Sequence, residues 1–241
     1  MTQLHQCSFA ATLAGNSLGR RRIESAADRP GGGARGRATE QRLATRVFFV
    51  RHGAHDRLDR ILCGRMAGVR LSETGQAQAR RVAEKLAGLE VAALHVSPLE
   101  RARQTAAPIG EALRLAPVVS DALNEIEFGE WTGSSFDDLR RHPGWEPWNR
   151  ARSRARAPGG ETMGEVQDRV LAWIAAMRAA HGDAAVVAVC HGDVIKSAVC
   201  AALGLSLDHH HRFDVGPASI SVVAADEPGL RLLSLNESPA P

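Results

Sequence analysis

Tyrosine is absent from the 241 residues, and aromatic side chains make up only 4% of them. A core must therefore be built mostly from alanine, leucine and valine. Lysine occurs only at Lys85 and Lys196. Every other basic residue is an arginine, so one arginine alone says little about function. No apolar run is long enough to span a bilayer as a helix. The four cysteines, Cys7, Cys63, Cys190 and Cys200, show neither a pairing rhythm nor metal-ligand spacing. Cys190 and Cys200 lie in apolar segments and read as small buried hydrophobes. This usage points to a reducing cytoplasm. An overall basic character is missing too. The net charge is +3, but residues 1–46 hold eight arginines and three acids, so the remainder carries −2. The folded part is therefore not expected to bind nucleic acid.

Hydrophobic residues make up 44% of the chain, enough for a sizeable core. Residues 1–45 stand apart, with a Gly31-Gly32-Gly33 run, an Arg20-Arg21-Arg22 run and little periodicity. They read as a disordered, dispensable extension. Residues 46–241 read as one domain in which 132–160, rich in Trp, Pro and Arg, form a cap-like insertion over one sheet face.

Val47-Phe48-Phe49-Val50 is a buried-strand pattern that runs into Arg51-His52-Gly53. Open α/β sheets place ligands at such strand ends, and Gly53 would let the backbone approach a ligand. Ser72 can cap a helix carrying Val82, Leu86 and Leu89. Ala92 to Val96 forms a second strand, and a helix follows from Leu99 to Leu113 with a bend expected at Pro108. Pro117 to Val119 is a short strand, and Leu123 to Trp131 an acidic loop. Thr162 and Glu165 form a capping box before a helix whose apolar face is Met163, Val166, Val170, Ile174 and Met177. Ala184 to Cys190 is a continuous apolar strand ending at His191-Gly192-Asp193, with a helix from Val194 to Leu203. Short strands near 220–223 and 231–235 close the chain. Alternating strands and helices predict a three-layer α/β/α fold with a mostly parallel sheet.

Two strands thus end in His-Gly, and parallel strands stopping at one edge would set His52 and His191 side by side. The segment Ser97 to Ala106 brings Arg101 and Arg103 to a helix start, where free N–H groups favour anions and an Arg fork suits phosphate oxygens. These features outline a site for a dianionic phosphoryl group.

The chain resembles the histidine phosphatase superfamily, with its phosphoglycerate mutase-like fold. The resemblance is carried in order by Arg51-His52-Gly53, Leu71 to Ala79, Ser97 to Ala106, Asn124 to Gly133, Pro158 to Thr162 and His191 to Ile195. It implies a phosphomonoester hydrolase acting on a small phosphorylated metabolite, with no metal or cofactor. His52 would be the nucleophile, and Arg51, Arg101 and a protonated His191 would hold the phosphoryl group. Glu125 would be the general acid and then base, with Glu127 as the fallback. Gly192, His55 and Arg65 are further candidates for substrate contact.

Ala54 stands where family members often carry Glu or Gln, which leaves the substrate open. The residues that hold a second carboxyl-bearing end in phosphoglycerate mutases are missing, which favours hydrolysis over mutase chemistry. A non-catalytic phospho-ligand module is the rival from another class. Arg140, Arg141, Arg150, Arg152, Arg154 and Arg156 read as a solvated face, Trp145 and Trp148 as packing, and His209-His210-His211 as a solvated loop. Oligomeric state stays open, with a dimer as one option.

Overall fold

A computed structural model of the protein describes residues 44–239. The expectation of a disordered extension falls on 1–45, of which 1–43 lie outside the described residues.

In chain order the elements are β1 (Thr45–Arg51), α1 (Glu73–Leu86), β2 (Val91–Val96), α2 (Glu100–Leu113), β3 (Val118–Val119), α3 (Phe136–Arg141), α4 (Trp145–Arg150), α5 (Met163–His181), β4 (Ala185–Cys190), α6 (Gly192–Leu203), β5 (Ile220–Asp226) and β6 (Gly229–Glu237). Three short 3-10 turns, at Asp121–Leu123, Gly129–Trp131 and Leu207–Arg212, complete the list. The six strands form one sheet in the order β3-β2-β4-β1-β5-β6. The first four are parallel; β5 and β6 run antiparallel as a hairpin on the β1 edge. Both last strands are longer than their apolar patterns suggest, because pairing within the hairpin carries them past the apolar stretch.

Central position explains the composition of β4. All six of its residues are buried, as a parallel strand covered on both faces requires. Val186, Ala188 and Cys190 face one layer with α5 and α6, while Val187 and Val189 face the other with α1 and α2. The same alternation splits β1, with Val47 and Phe49 on one face and Val50 on the other.

The helix starts follow their capping chemistry. Ser72 Oγ accepts from Gly75 N at 3.1 Å, and Thr162 with Glu165 closes a capping box. The α2 helix continues through Pro108 to Leu113. The α6 helix begins at Gly192, two residues before the apolar run, because the backbone turns immediately after β4.

Within 132–160, Leu139, Trp148 and Ala157 join the core on the α5–α6 side. Trp145 and Trp148 stack at 5.2 Å, and Trp131 meets both edge-on. A bridge between Ile61 and Ser135 ties this segment to the loop after β1. Gly129 sits at φ +53°, where a Cβ would lie 2.0 Å from the Pro158 carbonyl oxygen; only glycine allows that approach. Among the described residues, no helix is long and apolar enough to cross a membrane.

Candidate active site

The parallel register of β1 and β4 pairs Arg51 with Cys190. The next residues on the two strands are His52 and His191, so their rings lie 5.2 Å apart between centroids. His52 Nδ1 lies 2.8 Å from the Gly53 carbonyl oxygen. A carbonyl can only accept, so Nδ1 carries the proton. The ring is 3% exposed, and its pKa is driven well below 6.5 by burial and by Arg101 and Arg51. A neutral ring protonated at Nδ1 leaves the Nε2 lone pair free.

Arg101 enters from the first turn of α2 and is 2% exposed. One Nη2 hydrogen-bonds the Gly64 carbonyl at 2.7 Å and His191 Nδ1 at 3.2 Å. Its Nε and Nη1, and the Nε of Arg51, are buried without a hydrogen-bond partner. Arg51 Nη1 donates to the Val215 carbonyl at 2.6 Å. Buried donors left unpaired are costly, and three of them on two guanidiniums beside His52 form a cradle for an anion. Thr105 braces the group: its Oγ1 accepts from Gly53 N at 3.0 Å and donates to the Arg101 carbonyl at 2.8 Å.

Glu125 sits on the loop between β3 and α3. That loop is clamped by Glu130 N to the Pro158 carbonyl at 2.9 Å and by Glu161 N to the Glu127 carbonyl at 2.8 Å. The two motif segments of this region thus pack against each other through their glycines. One oxygen of Glu125 accepts from Ile126 N at 3.0 Å. Burial first, and then the nearby Asp193 carboxylate, push its pKa up from 4.5 to about 7 against the pull of Arg101.

Arg51, His52, His55, Arg101, Glu125 and Gly192 together line a pocket of about 270 Å³. His55 stacks on His52 at 5.4 Å, and burial and the two arginines lower it to about 4.

Some of the candidates stand behind the pocket wall. His191 does not line the pocket. It is fully buried, and its pKa falls well below 6.5 through burial and Arg101. Arg101 can only donate, so His191 Nδ1 accepts and its Nε2 donates to Ser97 Oγ at 2.7 Å. Both nitrogens are used, and the ring orients Arg101 instead of adding charge of its own. Arg65 is also outside the lining. Its guanidinium binds the Glu125 carbonyl at 2.7 Å and Glu161 at 2.9 Å, which steadies the Glu125 loop. Glu127, the fallback acid, faces Arg65 at 3.8 Å and does not reach the pocket. Arg103 is exposed, because two residues along a helix turn about 200° away from Arg101. Gly53 serves packing: a Cβ there would meet the Gly75 carbonyl oxygen at 2.5 Å. Ala54, whose backbone is held by Gln78 and Ser72, is absent from the lining.

The arginines of the insertion are exposed as expected except Arg152. Arg152 is buried, lies 3.6 Å over the Trp148 ring and pairs with Asp193 at 3.4 Å. His210 is likewise buried, its Nδ1 bonded to the Leu207 carbonyl at 3.1 Å. Spacing gave no sign of either, since Asp193 and Arg152 meet only through the fold. Asp193 and Lys196, both on α6, line the pocket as well. Their signal in sequence was their place in the turn of helix after His191-Gly192.

Comparisons with known proteins agree with this geometry. The family model for the histidine phosphatase superfamily (branch 1) matches residues 47–238. Phosphoserine phosphatase 1 of Hydrogenobacter thermophilus is 31% identical over 168 residues, covering 69% of this chain and 80% of that protein. The uncharacterized phosphatase PhoE of Bacillus subtilis is 30% identical over 154 residues, covering 64% and 75%. Among solved structures, mycobacterial glucosyl-3-phosphoglycerate phosphatase superposes with TM-score 0.74 at 28% identity, over 81% of this chain and all of that one. YhfR of Bacillus stearothermophilus gives TM-score 0.74 at 27% identity, over 80% and 98%. The chain belongs to the histidine phosphatase superfamily, branch 1, and is a phosphomonoesterase of that family.

Proposed function

We propose that the protein hydrolyses small phosphomonoesters in two steps through a phosphohistidine on His52. The observation that carries this reading is the state of His52: its Nδ1 proton is held by Gly53 while Nε2 stands free beside unpartnered arginine donors. Nε2 attacks phosphorus, and the bond from phosphorus to the ester oxygen breaks. Arg51 and Arg101 spread positive charge over the equatorial oxygens, which is the main demand of phosphoryl transfer. Glu125, protonated below about pH 7, gives its proton to the departing alkoxide. Water then attacks phosphorus, Glu125 takes its proton, the P–N bond breaks, and inorganic phosphate leaves. The two guanidiniums supply the charge, so the reaction as written uses no metal.

A pocket of about 270 Å³ lies at or below the lower end of the usual range for ligand sites, which fits a small metabolite. The activities for which two relatives are named, on phosphoserine and on glucosyl-3-phosphoglycerate, point the same way. The free, buried Cys63, Cys190 and Cys200 fit a reducing compartment, and we place the protein in the cytoplasm.

The test is a His52→Ala variant assayed on an aryl phosphate, with acid-labile phosphate on the wild-type protein trapped by rapid quench. Loss of both turnover and trapped label is expected. A variant retaining wild-type turnover would overturn the mechanism.

A further inference from the structure

We propose that Glu161 is a positioning residue for the general acid: through Arg65 and Arg169 it fixes the peptide of Glu125 and so aims the Glu125 carboxyl at the leaving group. The inference rests on the phosphatase reading and gives a role to a residue that stands outside the pocket lining.

Glu125 needs support from elsewhere in the chain. It lies between the 3-10 turns Asp121–Leu123 and Gly129–Trp131, in a stretch that is neither helix nor strand. Its carboxyl turns back to Ile126 N at 3.0 Å. That bond is local and does not fix where the peptide itself stands.

The support comes from two guanidiniums. The main-chain carbonyl of Glu125 accepts from Arg65 Nε at 2.7 Å and from Arg169 Nη2 at 3.3 Å. Arg65 belongs to the loop after β1 and Arg169 to α5. A single oxygen of Glu161, Oε2, ties them together. It accepts from Arg65 Nη2 at 2.9 Å, from Arg169 Nη2 at 3.4 Å and from Glu127 N at 3.0 Å. Arg169 Nη1 also donates to the Ala122 carbonyl at 2.6 Å, so the chain is held on both sides of Glu125. Glu161 itself immediately precedes Thr162, the cap of α5, whose buried face belongs to the core. The clamp is therefore anchored to a rigid element. Charge-assisted bonds of this kind are stronger than neutral ones. Their grip falls on the peptide of the acid, where a displacement of about 1 Å can cost on the order of 10² in rate.

The charges of the clamp also balance. Two cations beside a group that must hold its proton would favour its ionised form. Glu161, together with Glu127 at 3.8 Å from Arg65, sets two carboxylates against the two guanidiniums. Hydrogen-bond donors thus hold Glu125 without adding net positive charge next to it. The carboxyl itself faces Arg51, Arg101 and Asp193 across the pocket.

The experiment uses two esters that differ in what their leaving groups need. The alkoxide released from glycerol phosphate must take a proton from Glu125. The anion released from dinitrophenyl phosphate needs none. The kcat/KM of each reports the steps up to loss of that group. In the full chain, Glu161→Gln should lower kcat/KM on glycerol phosphate by about 10- to 100-fold, mostly in kcat, and leave dinitrophenyl phosphate within about threefold. Glu125→Gln should show the same selectivity. Adding Glu161→Gln to it should cost little more, since the group being positioned is gone. Arg65→Gln cuts one arm of the clamp on a partly exposed loop and should repeat the pattern even where Glu161→Gln folds poorly. Equal losses on both esters, no loss on either, or fully additive losses in the double variant would overturn the assignment. Failure of the wild type on both esters would instead sink the phosphatase reading itself.

Discussion

Replacing Glu125 with Gln should make the protein a worse catalyst and a more stable fold, and the two effects share one cause. In the folded protein the carboxyl holds its proton up to about pH 7, against an ordinary 4.5. Between those values the folded state binds a proton that the unfolded chain releases. Stability from this group is therefore full below pH 4.5 and is lost as pH rises through 7. The full penalty above pH 7 corresponds to roughly 3 kcal/mol. Glutamine keeps the shape and has no charge to bury, so Glu125→Gln should exceed the wild type by up to that amount at pH 8. The difference should vanish near pH 4. Urea titrations at the two pH values read it directly. Catalysis moves the other way. An amide cannot protonate an alkoxide, so kcat/KM on an alkyl phosphate should fall by about 10²–10⁴. The wild-type profile should descend above pH 7 as the acid ionises, after rising near the second phosphate pKa of about 6. The variant should lack the descending limb. A Glu125→Gln protein no more stable at pH 8 than at pH 4 relative to wild type, and within threefold in activity, would refute both halves.

Two further perturbations test the supports of the site. Arg152→Met strands the Asp193 carboxylate beside Glu125 and should cost about 3–5 kcal/mol in urea unfolding; adding Asp193→Asn should recover most of it, and a fully additive double variant would contradict the pairing. Gly53→Ala drives a methyl group into the backbone of α1, so a loss of about 3 kcal/mol or more in thermal unfolding is expected, with lower turnover because His52 is displaced. An alanine variant with wild-type melting temperature would count against that close packing.

Much of the fold was legible along the chain because burial writes itself into apolar pattern. The unbroken run 185–190 could only be a strand covered on both faces, and the capping residues Ser72 and Thr162 marked helix starts to within a residue. Some elements were less legible for a physical reason. The β5–β6 hairpin outruns its apolar positions because ladder hydrogen bonds, not side chains, extend it. Arg152 and His210 looked like solvated charges: Trp148 and Leu207 lie only four and three positions upstream of them, but the burial of each site and the Asp193 partner of Arg152 arise from distant parts of the chain.

The candidates for the reacting groups came from the sequence and its family resemblance: two His-Gly strand ends, an arginine in the first turn of α2 and a glutamate on a loop. What those groups do depends on which atoms meet. His52 and His191 are alike in the chain, yet tertiary contacts hold one with its Nε2 free, as the proposed nucleophile requires, and tie both nitrogens of the other to Arg101 and Ser97. The proton on Glu125 was likewise decided by burial and by Asp193, 68 positions away. Residue type sets the chemistry a side chain can perform; the electrostatic surroundings that select one protonation state arise only when distant segments share a dry interior.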